Sequence, residues 1–299
     1  MILLRIMGGL GNQMFQYAAG KALAERLHQS LYLDLSWFQN PGASTPRDFS
    51  LSHFKAITDK IATPEEIRFF FPETIWKRIQ RRLFIHSILK PKMVFLDETK
   101  HSYINRMPKL NKSMNIHMTG YWQSEFYSRD SSTTIRSLFS LEPPTDSKNR
   151  ELFEKLNSGN HYISLHIRRG DYITNPVAAA RLGNICSKEY YQSAINRLLD
   201  QIPNAHFIIF SDEPDWVVKN FPLPSHFTVV DWNSQENSYR DLQLMSQCSH
   251  HILANSSFSW WGAWLGRNKN KTVIAPARWW QIKNPLRDQF IVPENWIRL

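Results

Sequence analysis

Two cysteines, Cys186 and Cys248, are all that the 299-residue chain contains, and neither sits in a Cys-x-x-Cys pair. That excludes a disulfide framework and makes a reducing cytoplasm the expected compartment. No stretch reaches the roughly 18 uninterrupted apolar residues of a membrane-spanning helix. The first apolar run, residues 2–6, has strand length and ends in glycines, so it does not read as a secretory signal. The chain has no zinc finger, basic zipper or RNA-recognition signature, no Gly-x-Ser-x-Gly elbow and no His-Glu-x-x-His pair. His250 and His251 are adjacent, so on a strand they point to opposite faces and do not chelate one ion together. No Asp-x-Asp occurs anywhere, which argues against a metal bridging a diphosphate. Repeats and low-complexity segments are also missing.

What the chain does have is charge, rings and length. Its 36 Lys and Arg against 26 Asp and Glu leave +10, which suits an anionic membrane surface or a phosphate-bearing substrate better than nucleic acid, given the absent signatures. The 11 Trp and 18 Phe can stack on sugars or bases, although general burial preferences send most such rings into cores. At roughly 100–200 residues per domain, the length implies two domains. A polar, proline-broken segment at 142–149 reads as the linker between 1–145 and 146–299.

The N-terminal part reads strand (2–6), glycine turn (8–12), helix (13–27), strand (31–35), and Thr63-Pro64 opens a further helix. After the linker, strands are expected at 162–167, 206–210, 227–230, 251–254 and 272–275. Helices at 188–200, 214–220, 238–247 and 258–265 separate most of them, and Ser238 and Asp241 have capping-box spacing. Such alternation implies parallel sheets with helices on both faces, hence an α/β protein of two Rossmann-like domains.

Open α/β sheets bind ligands beyond the carboxyl ends of their strands. There the polar residues gather: His166 to Asp171 after one strand, Ser211-Asp212 after the next, Asp231 after a third, and Asn255-Ser256-Ser257 after a fourth. Guanidinium forks and a helix N-terminus suit a diphosphate. Each residue also has a plain structural use: Ser256 or Ser257 can cap the following helix, and Asp212 the helix at Pro214. Gly9-x-Gly11, with Asp34 ending the second strand, imitates a dinucleotide fingerprint, but Met14 stands where the third glycine belongs. The turn can still bring main-chain N–H groups of Gly9 and Gly11 to a ligand, with Asn12 and Gln13 adding side-chain donors.

Four blocks together resemble bacterial α-1,2-fucosyltransferases: Gly8 to Tyr17, Gly120 to Glu125, His166 to Tyr172, and Ala254 to Leu265 with Phe258 in it. The resemblance implies two Rossmann-like domains facing each other across a cleft (a GT-B variant), an N-terminal acceptor side, a C-terminal GDP-fucose side and a metal-independent, inverting reaction. It places His166 and Arg168 at the diphosphate, Asp212 at the guanine edge, and Ser256 and Ser257 at the phosphates, with Asn255 beside them. The general base is open: related enzymes place a glutamate about ten positions past the motif histidine, but here that residue is Pro176, which leaves Asp171 and Glu125 as candidates beside Arg168. Asp171 could instead pair with Arg168 or Arg169. Strand alternation sets His166 and Arg168 on one face and Arg169 on the other, so Arg168 is expected at the diphosphate and Arg169 with a carboxylate.

The implied partners are GDP-fucose and a β-galactoside acceptor such as lactose or a lipid-linked glycan, without nucleic acid. Trp76, Ile79 and Leu83 at i, i+3 and i+7, among Lys77, Arg78, Arg81 and Arg82, make 74–90 a basic amphipathic helix. Such a helix suits peripheral contact with the inner membrane as well as ordinary core packing. The alternatives are another fucosyltransferase linkage, since the block at His166 to Asp171 is shared with α-1,6- and protein O-fucosyltransferases, a nicotinamide-dependent enzyme, and a non-catalytic membrane- or nucleic-acid-binding protein.

Overall fold

In the computed structural model the described residues are 1–42, 45–71, 92–98, 108–158, 161–233, 235–282 and 285–299. The basic segment 74–90 lies outside them. No helix among the described residues is long and apolar enough to cross a membrane. The chain forms two compact units, Met1–Ser140 and Leu141–Leu299, each built on an all-parallel sheet.

The first unit holds β1 (Ile2–Arg5), β2 (Leu31–Asp34), β3 (Lys60–Ile61), β4 (Met93–Asp97) and β5 (Asn115–Thr119), in the order β3-β2-β1-β5-β4. β1 is central and fully buried at Ile2, Leu3 and Leu4. The helix Leu10–Leu27 follows it and is buried on most sides, from Met14 to Leu27. The small residue that lets this helix lie close on the sheet is Gly20, where a Cβ would stand 2.7 Å from Leu4 Cδ2. The close approach expected of a third fingerprint glycine is thus made further along the helix, and Met14 is core. Thr63 caps the helix Pro64–Phe70 with the full reciprocal box to Glu66.

The second unit contains β6 (Tyr162–Ile167), β7 (His206–Ser211), β8 (Phe227–Val230), β9 (His250–Ile252), β10 (Val273–Ala275) and β11 (Ile297–Arg298), ordered β11-β10-β9-β6-β7-β8. Its inner strands β6, β7, β9 and β10 are buried on both faces, as parallel sheets require. Ile163, Leu165 and Ile167 join Phe207 and Ile209 under the helix Lys188–Gln201. Ile208 and Phe210 face the other way, onto Leu152, Leu156, Leu244 and Met245. Tyr190 donates to the carbonyls of Leu253 and Ile274, and Tyr191 to that of His166, so one helix fastens the carboxyl ends of three neighbouring strands.

Two local expectations are corrected. The polar segment 142–149 stops being linker at Asp146, whose Oδ1 accepts from Asn149 N at 2.9 Å and opens the helix Ser147–Ser158. The helix Ser238–Gln247 has Asn237 at its N-cap with no side-chain cap. Asp241 accepts from Asn233 Nδ2 instead, and burial raises its pKa to about 7.

Candidate active site

Both sheets reverse their winding once. In the second unit the chain runs from β6 outward to β7 and β8, then returns to lay β9 on the other side of β6. Open α/β sheets hold ligands at such a switch point, which here falls between the residues after β6 and those after β9: His166 to Asp171 and Asn255 to Phe258.

His166 is 5 % exposed on the Ile208 and Phe210 face, its ring 5.9 Å from that of Phe258. Burial, followed by the Arg168 charge, pushes its pKa down to about 3, so it is a neutral imidazole near pH 7. Its Nδ1 is buried without a hydrogen-bond partner. Groups so placed are rare and costly, and this one can bond a ligand.

Arg168 leaves the strand end gripped from two sides. Its Nη2 donates to Asp171 Oδ1 at 2.5 Å, and its Nη1 lies 3.2 Å from Asp212 Oδ2. Burial would lower its pKa, but the charges of Asp212 and Asp171 reverse that and raise it. Arg169 points elsewhere. Its Nε bonds Glu213 Oε2 at 2.9 Å and its guanidinium stacks 3.4 Å over the Trp216 ring. Both arginines are therefore paired with carboxylates, where sequence reasoning expected this of Arg169 more than of Arg168.

The remaining expected residues divide. Ser256 is the N-cap of the helix Ser257–Leu265, its Oγ accepting from Phe258 N at 3.3 Å, with Ser257 beginning the helix. Asn255 is turned inward: its Nδ2 donates to the carbonyls of Leu182 and Trp279, so its amide fastens loops. Asp212 does not cap the helix Pro214–Asn220, whose N-cap Glu213 has its N–H bonded to Ser211 Oγ. Both Asp212 oxygens are occupied, Oδ1 by Arg169 N at 2.9 Å and Oδ2 by Arg168.

The first unit reverses between β1 and β5, which brings the turn before the long helix beside Gly120 to Glu125. Gln123 Nε2 donates to Asn12 Oδ1 at 2.8 Å across that point. Gly9, at φ −75°, is the helix N-cap and Gly11 is inside the helix; the left-handed residue is Gly8, at φ 77°. Gln13 spends its amide on the carbonyls of Gly8 and Asp48 and on Ser50 N, and Gln16 clamps the main chain of Met7. Asp34 Oδ1 accepts from Ser36 N at 2.9 Å, an Asx-type turn. Glu125 sits in the short turn Glu125–Tyr127, and its charge acts on Arg136. Sequence reasoning missed Trp122, which is fully buried at φ 54° with its Nε1 lacking a hydrogen-bond partner. A bulky residue in the left-handed region leaves no mark in composition or spacing.

Two parallel α/β units with polar switch points are the build of an α/β enzyme that holds ligands at its strand ends. Residues 1–299 match the profile of Glycosyl transferase family 11, and the chain belongs to that family. It is 33 % identical over 305 residues to an alpha-1,2-colitosyltransferase of Escherichia coli, covering 100 % of this chain and 98 % of that protein. Identity is also 33 % over 308 residues with the O-antigen biosynthesis glycosyltransferase WbnK of the same species, covering 98 % of each. A galactoside 2-alpha-L-fucosyltransferase SEC1 of Bos taurus is 29 % identical over 105 residues, which is 35 % of this chain and 28 % of that one.

Proposed function

We propose that this glycosyltransferase moves L-fucose from GDP-β-L-fucose to the 2-hydroxyl of a terminal β-galactoside with inversion, in the assembly of a bacterial surface glycan. One observation carries the reading: a neutral, buried imidazole with an unfilled nitrogen stands at the switch point of the second sheet beside an arginine held in place by carboxylates. Full-length similarity to two O-antigen and α-1,2 enzymes supports it. Arg168 directs its fork at the diphosphate and neutralises charge as GDP departs. His166 donates or accepts at the nucleotide through Nδ1, while Ser256, Ser257 and the first N–H groups of their helix meet the phosphates. Phe258, whose ring lies 5.9 Å from that of His166, completes the donor surroundings within this unit. Asp171 or Glu125 takes the proton from the acceptor hydroxyl.

The test is radiolabel transfer from GDP-fucose to lactose, run beside GDP-colitose because the alpha-1,2-colitosyltransferase relative is so similar. Fucose transfer to the galactose 2-position supports the proposal; transfer from GDP-colitose alone, or none from either donor, overturns it. With no Asp-x-Asp in the chain, EDTA should leave the rate unchanged within about twofold, far from the loss of several kcal/mol expected where a catalytic metal is removed.

A further inference from the structure

Gly170 sits between the two residues that Asp212 holds and the one that shares Arg168 with it. A Cβ on Gly170 would stand 2.3 Å from Asp212 Oδ2 and 3.3 Å from its Cγ, far inside contact distance. That oxygen is the one 3.2 Å from Arg168 Nη1. The other, Oδ1, is fixed by Arg169 N at 2.9 Å. A carboxylate pinned at one oxygen by main chain cannot swing away from a new methyl group without breaking that bond. The missing side chain of Gly170 therefore makes the room in which Asp212 meets Arg168.

We infer that Asp212 is a positioning residue: admitted by Gly170, it sets the Arg168 guanidinium for the donor diphosphate and does not read the base. The inference rests on the function proposed above. Arg168 is a long, rotamer-rich side chain that is 23 % exposed, so burial alone does not fix it. Asp171, three residues on in the short helix Gly170–Thr174, grips one nitrogen, and Asp212, on the loop after β7, grips the other. A fork held by two separate elements is oriented before the substrate arrives, and misplacement of such a group by about 1 Å costs on the order of 10²-fold in rate. The arrangement has an electrostatic price in ground-state affinity. Asp171, Asp212 and Glu213 put three negative charges against the two of Arg168 and Arg169, which disfavours an incoming anion. Removing the Asp212 charge should therefore slow turnover without weakening GDP binding, a split that neither base reading nor a purely structural ion pair produces.

The experiment measures turnover with GDP-fucose and lactose, and calorimetric affinity for GDP and IDP, in Asp212→Asn, Asp212→Ala, Gly170→Ala and the Gly170→Ala/Asp212→Ala double variant, each shown folded by circular dichroism. Expected are turnover losses of about tenfold to hundredfold in the single variants, GDP affinity within about threefold of the parent or tighter, and an unchanged GDP-to-IDP ratio. In the double variant Gly170→Ala should add less than about twofold to Asp212→Ala, because the atom its Cβ would meet is gone. Parental turnover in Asp212→Asn, or a collapse of GDP affinity and of the GDP-to-IDP ratio, overturns the inference. A parent chain that transfers nothing counts against the proposed function, and the positioning role is then decided by the GDP and IDP affinities, where loss of base preference in Asp212→Asn contradicts it.

Discussion

Each sheet turns its winding once, and the two reversals use their polar residues in opposite ways. Between β1 and β5 the amides of Gln13 and Gln16 are consumed by main chain of the same unit, and Asn12 is bridged to Gln123. Between β6 and β9 a fully desolvated imidazole keeps an unused nitrogen, and an arginine stays 23 % exposed although two carboxylates hold it. The first arrangement fixes a backbone shape, with strain stored at Trp122. The second leaves a buried ring nitrogen unfilled beside an arginine that two carboxylates orient. Chain segments that look equally polar on paper thus do different work, and the test is where each donor's hydrogen goes.

The largest effect should come from the second reversal. Arg168→Lys keeps the charge but loses the fork, and turnover should fall on the order of 10²-fold or more. Arg169→Lys should be milder, since Trp216 and Glu213 already occupy that guanidinium. Initial rates at saturating donor decide; the reverse ranking would mean that the stacked arginine, not the doubly gripped one, faces the diphosphate.

A substitution at the first reversal should act on stability before chemistry. Gly8→Ala would place a side chain at φ 77° with its Cβ 2.9 Å from Asn12 Nδ2, a cost of about 1–2 kcal/mol from the left-handed backbone alone. Urea unfolding measures it, and an unchanged midpoint would show that this turn is not the rigid one described.

The smallest effect is in the acid dependence of stability. The folded pKa of His166 lies near 3, below its model-peptide value of 6.5, so the unfolded chain binds the extra proton. Its contribution is complete above about pH 6.5 and drains away as pH falls toward 3. His166→Gln removes that share, so its unfolding free energy should decline less steeply between pH 7 and 4.5, with His251 and Asp241 acting equally in both chains. Identical slopes would show that the imidazole is not desolvated as drawn.

The β6 to β9 unit was legible because its strands are short apolar runs separated by amphipathic helices, so pattern alone placed β6 and the helices at Pro214 and Ser238. In the first unit, β3, β4 and β5 went unread: β3 has two residues, and β5 carries His117 and Thr119 among its apolar positions. The candidate residues after β6 and β9 were legible as a set, because strand ends collect them. Their partners were not. Asp212 with Arg168, Asn255 with Trp279 and Asp34 with Ser36 are pairings chosen by loop geometry, and a sequence lists side chains without saying which way they turn. The aromatic block also reads differently in three dimensions: Trp260, Trp261 and Trp264 are core, packed on one another and on Trp296, with Trp260 Nε1 bonded to Ile291 O.

The claim that the β6 to β9 reversal receives the donor diphosphate is tested most directly by titrating GDP calorimetrically into the parent chain, Arg168→Lys and Gln123→Ala. A lost charge-assisted pair of bonds corresponds to roughly 1.5–3 kcal/mol, so Arg168→Lys should bind GDP at least about tenfold more weakly, while Gln123→Ala stays within about threefold. Parental affinity in Arg168→Lys together with a collapse in Gln123→Ala would place the diphosphate at the other sheet and contradict the account.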